Sequence, residues 1–334
     1  MKKTFQFLAV AFAAVLMAIS PSVFAAVAVG VSGAGVMVTS ANLLVVQKGL
    51  NTLYAKAMTD LMKGPDSIAK LGAMIALETS SASAAELYNT LNDVDDIRQW
   101  VGDRFVDSLA NQEFEIPNLD FEKTIGVKRP AIEDNKLGTY NLSVQLLAGK
   151  VGKFVGTKLV NMLKVADTTK CADGQFLCDT DHEGLNGTSQ SNWAGGSGER
   201  WFLVNRASVM RPFIVQKRKE FEFTTLFDPK DQNVFMRNEF LYGVDGRYGF
   251  GAGFWHTIYG SRQTLNPASY AAAVAAMENF TSPKGSVIGS APDLLICSPN
   301  LKAAALNITR SALVNGGETN PWAGSAEVVS IPGL

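Results

Sequence analysis

The chain has 334 residues, of which 47% are hydrophobic, so it can bury one large or two ordinary cores and is too apolar for a disordered protein. Its 30 Lys and Arg balance 31 Asp and Glu, which excludes recognition of nucleic acid through an overall positive charge. The 3 cysteines do not predict a disulfide framework, and the 2 histidines leave little for general-base or metal chemistry.

The N-terminal segment resembles a secretory signal. Lys2 and Lys3 precede an apolar run over residues 7–19, and residues 23–25 offer a signal-peptidase site. The run is shorter than the roughly 20 residues of a spanning helix, so it favours a cleaved signal over a permanent anchor. Residues 26–36 are small and glycine-rich, as in a linker.

Two helices are predicted next. Apolar residues recur at three- and four-residue steps over residues 43–61, with Thr39 or Ser40 as the N-cap and Gly64-Pro65 as the end. Asp66 is expected to cap a second helix over residues 67–77.

A two-stranded arm is predicted between residues 97 and 135. Phe121, Ile125 and Val127 lie on one face of a two-residue period, as in a solvated strand. Residues 114–116 are the expected partner strand, with Pro117-Asn118 in the turn.

The longest pattern is an apolar stripe from Val144 to Met162, which predicts one helix over residues 140–165, about 40 Å long. Gly149, Gly152 and Gly156 recur beside this stripe. Because a helical glycine costs up to about 1 kcal/mol relative to alanine, we expect a strand or a neighbouring subunit's backbone to approach this strip closely. The alternative is that the glycines face solvent and are merely tolerated.

The remainder predicts a mixed domain. Residues 167–200 lack apolar periodicity and indicate a long surface loop. Helices are predicted from Asn266-Pro267 through Met277 and from Pro299-Asn300 to about Leu313. Strands are predicted over residues 201–204, 213–216, 221–226, 234–242, 254–259, 294–297 and 328–331. This order of elements indicates an α+β protein.

One cluster resembles a metal site, namely residues 179–183, in which Asp179, Asp181 and His182 are weak candidate ligands. Consecutive residues rarely converge on one ion, so the favoured interpretation is a turn whose Asp side chains bind local backbone N–H groups. His256 is interpreted as a core or groove residue, and residues 249–253 as a tight strand connection. Cys171 and Cys178 lack a second ligand pair for zinc. The sequence therefore predicts no catalytic residues, no cofactor and a structural protein.

Short distinctive segments also follow one another along the chain, the first being Trp100 with Gly102-Asp103-Arg104. The others are residues 121–129, which end at Arg129, with Ile132-Glu133-Asp134, Gly138-Thr139-Tyr140, Asp173-Gly174-Gln175, residues 179–182, 211–219, 233–235 and 242–245, Gly253-Phe254-Trp255 and Asn320-Pro321-Trp322. In this order they resemble the Mu-like prophage major head subunit family over nearly everything from Met37 onward.

The resemblance implies the tailed-phage major capsid fold of the Hong Kong phage type. It implies an N-terminal arm over residues 37–96, an extended hairpin loop over 97–136, a spine helix over 137–166, and an axial domain with return strands over 167–334. Residues 1–36 are then a leader or an upstream extension outside the shell fold.

The same resemblance implies a function. The subunit would assemble with itself into hexamers and pentamers of an icosahedral shell, formed in the host cytoplasm. A scaffolding protein, a prohead protease and a portal are the implied partners, with packaged DNA contacted without sequence specificity and no stable membrane partner.

Three departures from the family pattern are visible. Residues 79–92 lack an expected Trp-Leu-Gly passage, which puts the packing of the hairpin base in question. Glu183 replaces a usual proline, and His256 replaces a common glutamine. The alternative hypotheses are an exported periplasmic or surface protein of the same fold, which accepts the signal at face value, a nanocompartment shell protein, and a metal-dependent hydrolase centred on residues 179–183.

Overall fold

A computed structural model describes residues 40–91, 111–134, 137–171, 173–283, 286–313 and 317–334. Residues 1–36, together with Trp100, Gly102, Asp103 and Arg104, lie outside these ranges, so the predictions made for them stay predictions. Within the described ranges, no helix combines the length and apolar character needed to cross a membrane.

The two N-terminal helices follow their sequence signals. Helix α1 (Ser40–Lys63) ends where the Gly64 N–H donates to the carbonyls of Asp60 and Leu61, at 3.0 and 3.1 Å, and Pro65 follows. Helix α2 (Ser67–Ile75) is capped by Asp66, whose carboxylate accepts from the N–H groups of Ile68 and Ala69. Both predicted helices are confirmed, and α2 gives way at Ala76 to strand β1 (Ala76–Ser80).

The predicted hairpin is wrong in its strand pairing. Strand β3 (Asn111–Pro117) pairs antiparallel with β2 (Ala85–Leu91), not with the following strand β4 (Leu119–Lys128). Strand β4 instead lies beside β10 (Glu239–Ala252). A two-residue period shows which face of a strand is apolar and carries no information about its neighbour in the sheet.

The predicted single helix over residues 140–165 is divided. After the short helix α3 (Arg129–Glu133), helix α4 (Leu137–Gly152) and helix α5 (Phe154–Lys164) are separated by Lys153, whose φ of −95° and ψ of −2° depart from helical values. Gly152 immediately precedes this interruption, and glycine holds helical backbone poorly.

Two larger sheets complete the fold. The first has the order β1-β9-β10-β4, in which β9 (Phe213–Leu226) pairs parallel with β1. The second has the order β13-β12-β8-β11-β7 and mixes parallel with antiparallel pairs. Its strands are β7 (Trp193–Ala194), β8 (Trp201–Val204), β11 (Ile258–Ser261), β12 (Leu294–Cys297) and β13 (Glu327–Ser330). A small ribbon pairs β5 (His182–Glu183) with β6 (Ser189–Gln190).

Several C-terminal predictions need correction. Residues 213–226 form one strand instead of two. Residues 234–242 do not form one strand, because helix α6 (Gln232–Arg237) runs into this range before β10 begins. Asn238 closes α6 in the left-handed conformation, with φ of 56°, which an alternating pattern does not reveal. The glycines of residues 249–252 lie inside β10 instead of in a connection.

Helix α7 (Pro267–Glu278) has the predicted proline start, and Asn266 and Ser269 form a capping box. Helix α8 (Lys302–Thr309) ends short of the predicted Leu313.

The chain divides into two compact units. Of the described residues, the first contains 40–56, 123–134, 137–147 and 223–244, and the second contains 57–91, 111–122, 148–171, 173–222, 245–283, 286–313 and 317–334. The large core belongs to the second unit, where every residue of β8 and β12 is buried. Helices α7 and α8 add buried residues to it, among them Tyr270, Met277 and Ile308. Mixed helices and sheets of this kind agree with the predicted α+β class.

Candidate functional sites

Within residues 179–183, the carboxylates do not surround His182. The Asp179 carboxylate accepts hydrogen bonds from the nearby N–H groups of Phe176 and Thr180, at 3.3 and 2.7 Å. Asp181 and Glu183 are exposed. Among the described residues, the group of potential ligands whose atoms lie within 4.8 Å of one another is Cys171, Asp173 and His182.

Asp173 is the centre of this second group. The imidazole Nδ1 of His182 lies 2.7 Å from Asp173 Oδ2, and the Cys171 thiol lies 2.9 Å from Asp173 Oδ1. The Gln175 N–H also donates to Oδ1, at 3.0 Å. The His182 ring is fully buried and stacks on Trp255, with 4.1 Å between ring centroids and planes 5° apart. The contacts of Cys171, Asp173 and His182 thus hold the loop before β5 against Trp255.

Hydrogen bonding and burial shift the pKa values of Asp173 and Cys171 in opposite directions. Burial raises the pKa of Asp173, but hydrogen bonds from His182 and Cys171 outweigh that effect and hold the pKa below its ordinary value. Burial, with the nearby Asp173 charge, raises the pKa of the Cys171 thiol. Burial, assisted by the proximity of His182, lowers the pKa of His256 to about 4.

Asn192 ties the same loop to the core, and sequence reasoning missed it. Its fully buried side chain donates from Nδ2 to the carbonyls of Leu177, Trp255 and Ile258, at 2.8, 3.0 and 3.1 Å. Its Oδ1 accepts from the Asp179 N–H at 2.8 Å. The amide is the side-chain partner of four backbone groups, of which the Trp255 carbonyl also accepts from the Ile258 N–H.

The glycine strip makes two close contacts. A Cβ added to Gly156 would lie 1.8 Å from the carbonyl oxygen of Ile68 in α2, and one added to Gly152 would lie 2.3 Å from Leu61 Cδ2. Gly149 has open space within 4 Å. The neighbours of Gly152 and Gly156 are thus helices of the same chain, whereas the sequence led us to expect a strand or another subunit.

Polar contacts hold the residues just before β2 against the residue just after β3. One oxygen of Glu86 accepts from the Ser81 hydroxyl and from the N–H groups of Ala82 and Ser83, at 2.8, 2.9 and 3.2 Å. The Asn118 amide donates to the Ser81 hydroxyl and the Ser83 carbonyl, at 2.7 and 3.0 Å. Except for Asn118, these residues lie within residues 79–92, where the Trp-Leu-Gly passage expected from the resemblance is missing.

We expect the Glu86 contacts to weaken in acid and the fold to lose stability with them. The hydrogen bond from Ser81, followed by those from the backbone N–H groups, lowers the pKa of Glu86 from its ordinary 4.5 to about 2. A folded pKa below the unfolded one stabilises the fold above about pH 4.5, and that contribution is lost as the pH falls towards 2. Urea unfolding of the wild type and of Glu86→Gln should therefore differ above pH 4.5 and converge below it. Parallel losses of stability in the two proteins across this range would contradict the assignment.

The described family-matching residues are structural in their contacts. Arg129 Nε pairs with Glu133 at 2.9 Å, and the Arg129 N–H donates to the Asn238 carbonyl at 2.9 Å. The Asp134 N–H donates to the Pro130 carbonyl at 2.8 Å, closing α3. Trp322 packs edge-on against Tyr270 of α7, with ring centroids 5.3 Å apart.

Comparison with known proteins identifies the family of the chain. Residues 45–334 match the family model described as Mu-like prophage major head subunit gpT. The chain is 26% identical to the Mu-like prophage FluMu major head subunit of Haemophilus influenzae over 80% of its own length and 89% of the relative's. It is 25% identical to the major capsid protein of Escherichia phage Mu over 83% of its length and 94% of that protein.

Solved structures give the same result. A chain of the bacteriophage JBD30 procapsid superposes with a TM-score of 0.72 and 29% identity, covering 89% of this chain and 100% of that chain. A chain of the JBD30 capsid superposes with a TM-score of 0.70 at 21% identity, over 78% of this chain and 89% of that chain. The predicted capsid fold and the resemblance are confirmed, and the chain belongs to the Mu-like prophage major head subunit family.

Proposed function

We propose that this chain is the shell subunit of a phage or prophage head, and that copies of it assemble into hexamers and pentamers of a closed icosahedral shell around DNA. The observation that carries the proposal is the superposition on the JBD30 procapsid chain along that chain's whole length. Assembly takes place in the host cytoplasm, and a scaffolding protein, a prohead protease and a portal act with the subunit.

The proposed role needs no catalysis and no cofactor. Burial lowers the pKa of His256 to about 4, which makes its imidazole a weak base near pH 7. The thiols of Cys171 and Cys178 have pKa values raised chiefly by burial, which disfavours a nucleophilic thiolate. The balanced charge of the chain suits packaged DNA that is enclosed without sequence-specific contacts.

Helix α6 offers a surface for subunit contact. Val234 is buried, whereas Phe235 and Met236 are 87% and 68% exposed. Two adjacent large apolar side chains held in solvent on one short helix are typical of surfaces that become covered on association. We propose that a neighbouring copy of the same chain covers Phe235 and Met236.

The double substitution Phe235→Ser with Met236→Ser tests this surface. We expect assembly of the full chain, followed by light scattering and sedimentation, to fall by at least about tenfold, since a contact worth 1.4 kcal/mol changes an equilibrium by that factor. The melting temperature of the unassembled subunit should not fall, because both side chains are exposed before association.

Glu220→Ser is the matched control, since the Glu220 side chain is 80% exposed and polar, and this variant should assemble like the wild type. Normal assembly of the double variant would contradict the role given to α6. Failure of the wild type to assemble under any condition would contradict the proposed function itself.

A further inference from the structure

A cavity of about 580 Å³ opens between strand β3, helix α5 and strand β10. The large apolar side chains that line it are Phe114, Ile116, Met162 and Phe250, and all of them except Ile116 are partly exposed. Pockets of about 300–1,000 Å³ with a mainly apolar lining are large enough to enclose a ligand or several side chains of a partner. The cavity therefore has room for more than one large apolar side chain.

Two opposite charges stand at this cavity. Glu115 of β3 and Lys170 of the loop after α5 both line it and both are exposed. Among the described residues, neither of them forms an ion pair. Asp173 lines the cavity too, but three donors already engage its carboxylate. A complementary partner would bring apolar side chains flanked by one positive and one negative charge.

Helix α6 carries these features in one short segment. Phe235 and Met236 are its two exposed apolar side chains, and the exposed Arg237 follows them directly. Asp231 lies immediately before the first residue of the helix. Because a helix of 6 residues is only about 9 Å long, both charges lie close to the apolar pair. The segment thus matches the cavity in polarity and in the signs of its flanking charges.

We propose that Phe235 and Met236 of one copy insert into the cavity of a second copy of this chain, with Arg237 paired with Glu115 and Asp231 paired with Lys170. The inference rests on the proposed function and adds to it the surface that covers α6.

The symmetry of this contact suits a shell. Helix α6 and the cavity are different surfaces of one chain, so each copy inserts its helix into one neighbour and receives the helix of another. Contacts of this heterologous kind close into rings when the rotation between copies is right, and hexamers and pentamers are such rings.

Charge reversal tests the pairing of Arg237 with Glu115. Glu115→Arg and Arg237→Glu should each lower assembly of the full chain, followed by light scattering, by at least about tenfold, because each places like charges against one another. The double variant with both changes restores opposite charges and should recover most of the wild-type assembly. Glu220→Arg is the matched control, because Glu220 is 80% exposed and does not line the cavity, and it should assemble like the wild type.

Cross-linking tests which surfaces meet. Gln232 is exposed at the start of α6, and Thr169 lines the cavity next to Lys170. The variant with Gln232→Cys and Thr169→Cys keeps both apolar residues and all four charges of the contact. Isotopically labelled and unlabelled chains of this variant are assembled together and treated with a short bis-maleimide. We expect peptides that join position 232 to position 169 and combine one labelled with one unlabelled half, whereas neither single variant should give them.

Wild-type assembly together with unimpaired single charge variants, or with a double variant no better than they are, would overturn the inference and leave the proposed function standing. Cross-links of position 232 to another part of the surface, to a scaffolding protein or only within one chain would have the same meaning. A wild-type chain that does not assemble would overturn both. If the doubly reversed variant fails to fold, the cross-linking result decides.

Discussion

Replacing Gly156 with alanine is expected to lower the free energy of unfolding by about 3 kcal/mol, at the upper end of the usual cost of overpacking a well-packed site. The new Cβ would lie 1.8 Å from the Ile68 carbonyl oxygen, and backbone cannot move aside as a flexible side chain can. Alanine is the better helix former by about 1 kcal/mol, so the steric cost must exceed that gain. Urea unfolding of the unassembled chain measures the difference.

Two other glycines of the strip serve as internal controls. Gly149 has open space around its Cβ position, so Gly149→Ala should raise the free energy of unfolding by up to about 1 kcal/mol. The free energy of unfolding of Gly152→Ala should lie between those of Gly149→Ala and Gly156→Ala. The new Cβ would meet the far end of the Leu61 side chain, which can rotate away. Equal or increased stability in Gly156→Ala would contradict the close contact of α5 with α2.

Removing the Asn192 side chain has the second large expected effect. Asn192→Ala removes the partner of the Leu177 and Ile258 carbonyls and of the Asp179 N–H, and each unsatisfied buried group costs about 1–3 kcal/mol. Partial relaxation and water entry reduce the sum, so we expect a loss of about 3–4 kcal/mol. Chemical unfolding monitored by tryptophan fluorescence reports it, since the Trp255 carbonyl also accepts from the Asn192 amide.

Asn279→Ala is the matched control for this prediction. Asn279 is exposed, and its amide makes a single bond of 2.7 Å to the Ala275 carbonyl, so its loss should cost less than about 1 kcal/mol. Asn192→Asp keeps the size of the side chain but cannot donate, and it should be at least as unstable as Asn192→Ala. A stable Asn192→Asp would show that the three donated hydrogen bonds are not what holds the loop.

Local signals predicted the elements that depend on local chemistry. The cap at Asp66, the Asn266-Pro267 start and the apolar runs of β8 and β12 each act within a few residues, and the structure has them where the sequence indicated. The partner of β3 is set by contacts distant in sequence, which a two-residue period does not encode.

In the candidate sites, too, contacts between residues distant in sequence could not be predicted. Residues 179–183 attracted attention because their carboxylates are adjacent to His182, yet neighbouring residues of an extended chain point to opposite sides. The carboxylate that reaches His182 belongs to Asp173, and only the folding of the intervening loop brings the two together. Asn192 looks like an ordinary loop residue in the sequence, because only its burial in the fold gives it importance.

The spacing of the glycines predicted a close contact of the helix but not its partner. The cost of helical glycine indicated that some neighbour approaches the strip, and Gly152 and Gly156 have such neighbours. The spacing could not distinguish them from Gly149 or identify α1 and α2 as the elements that approach. The ordered family segments supplied the overall fold, which periodicity alone limited to the α+β class.

Cryo-electron microscopy of the purified full chain, alone and with a scaffolding partner, tests the central claim most directly. The account predicts closed icosahedral shells built from hexamers and pentamers, with the JBD30-like subunit fold visible in each position. A chain that remains strictly monomeric at high concentration, with and without the scaffolding partner, would contradict it.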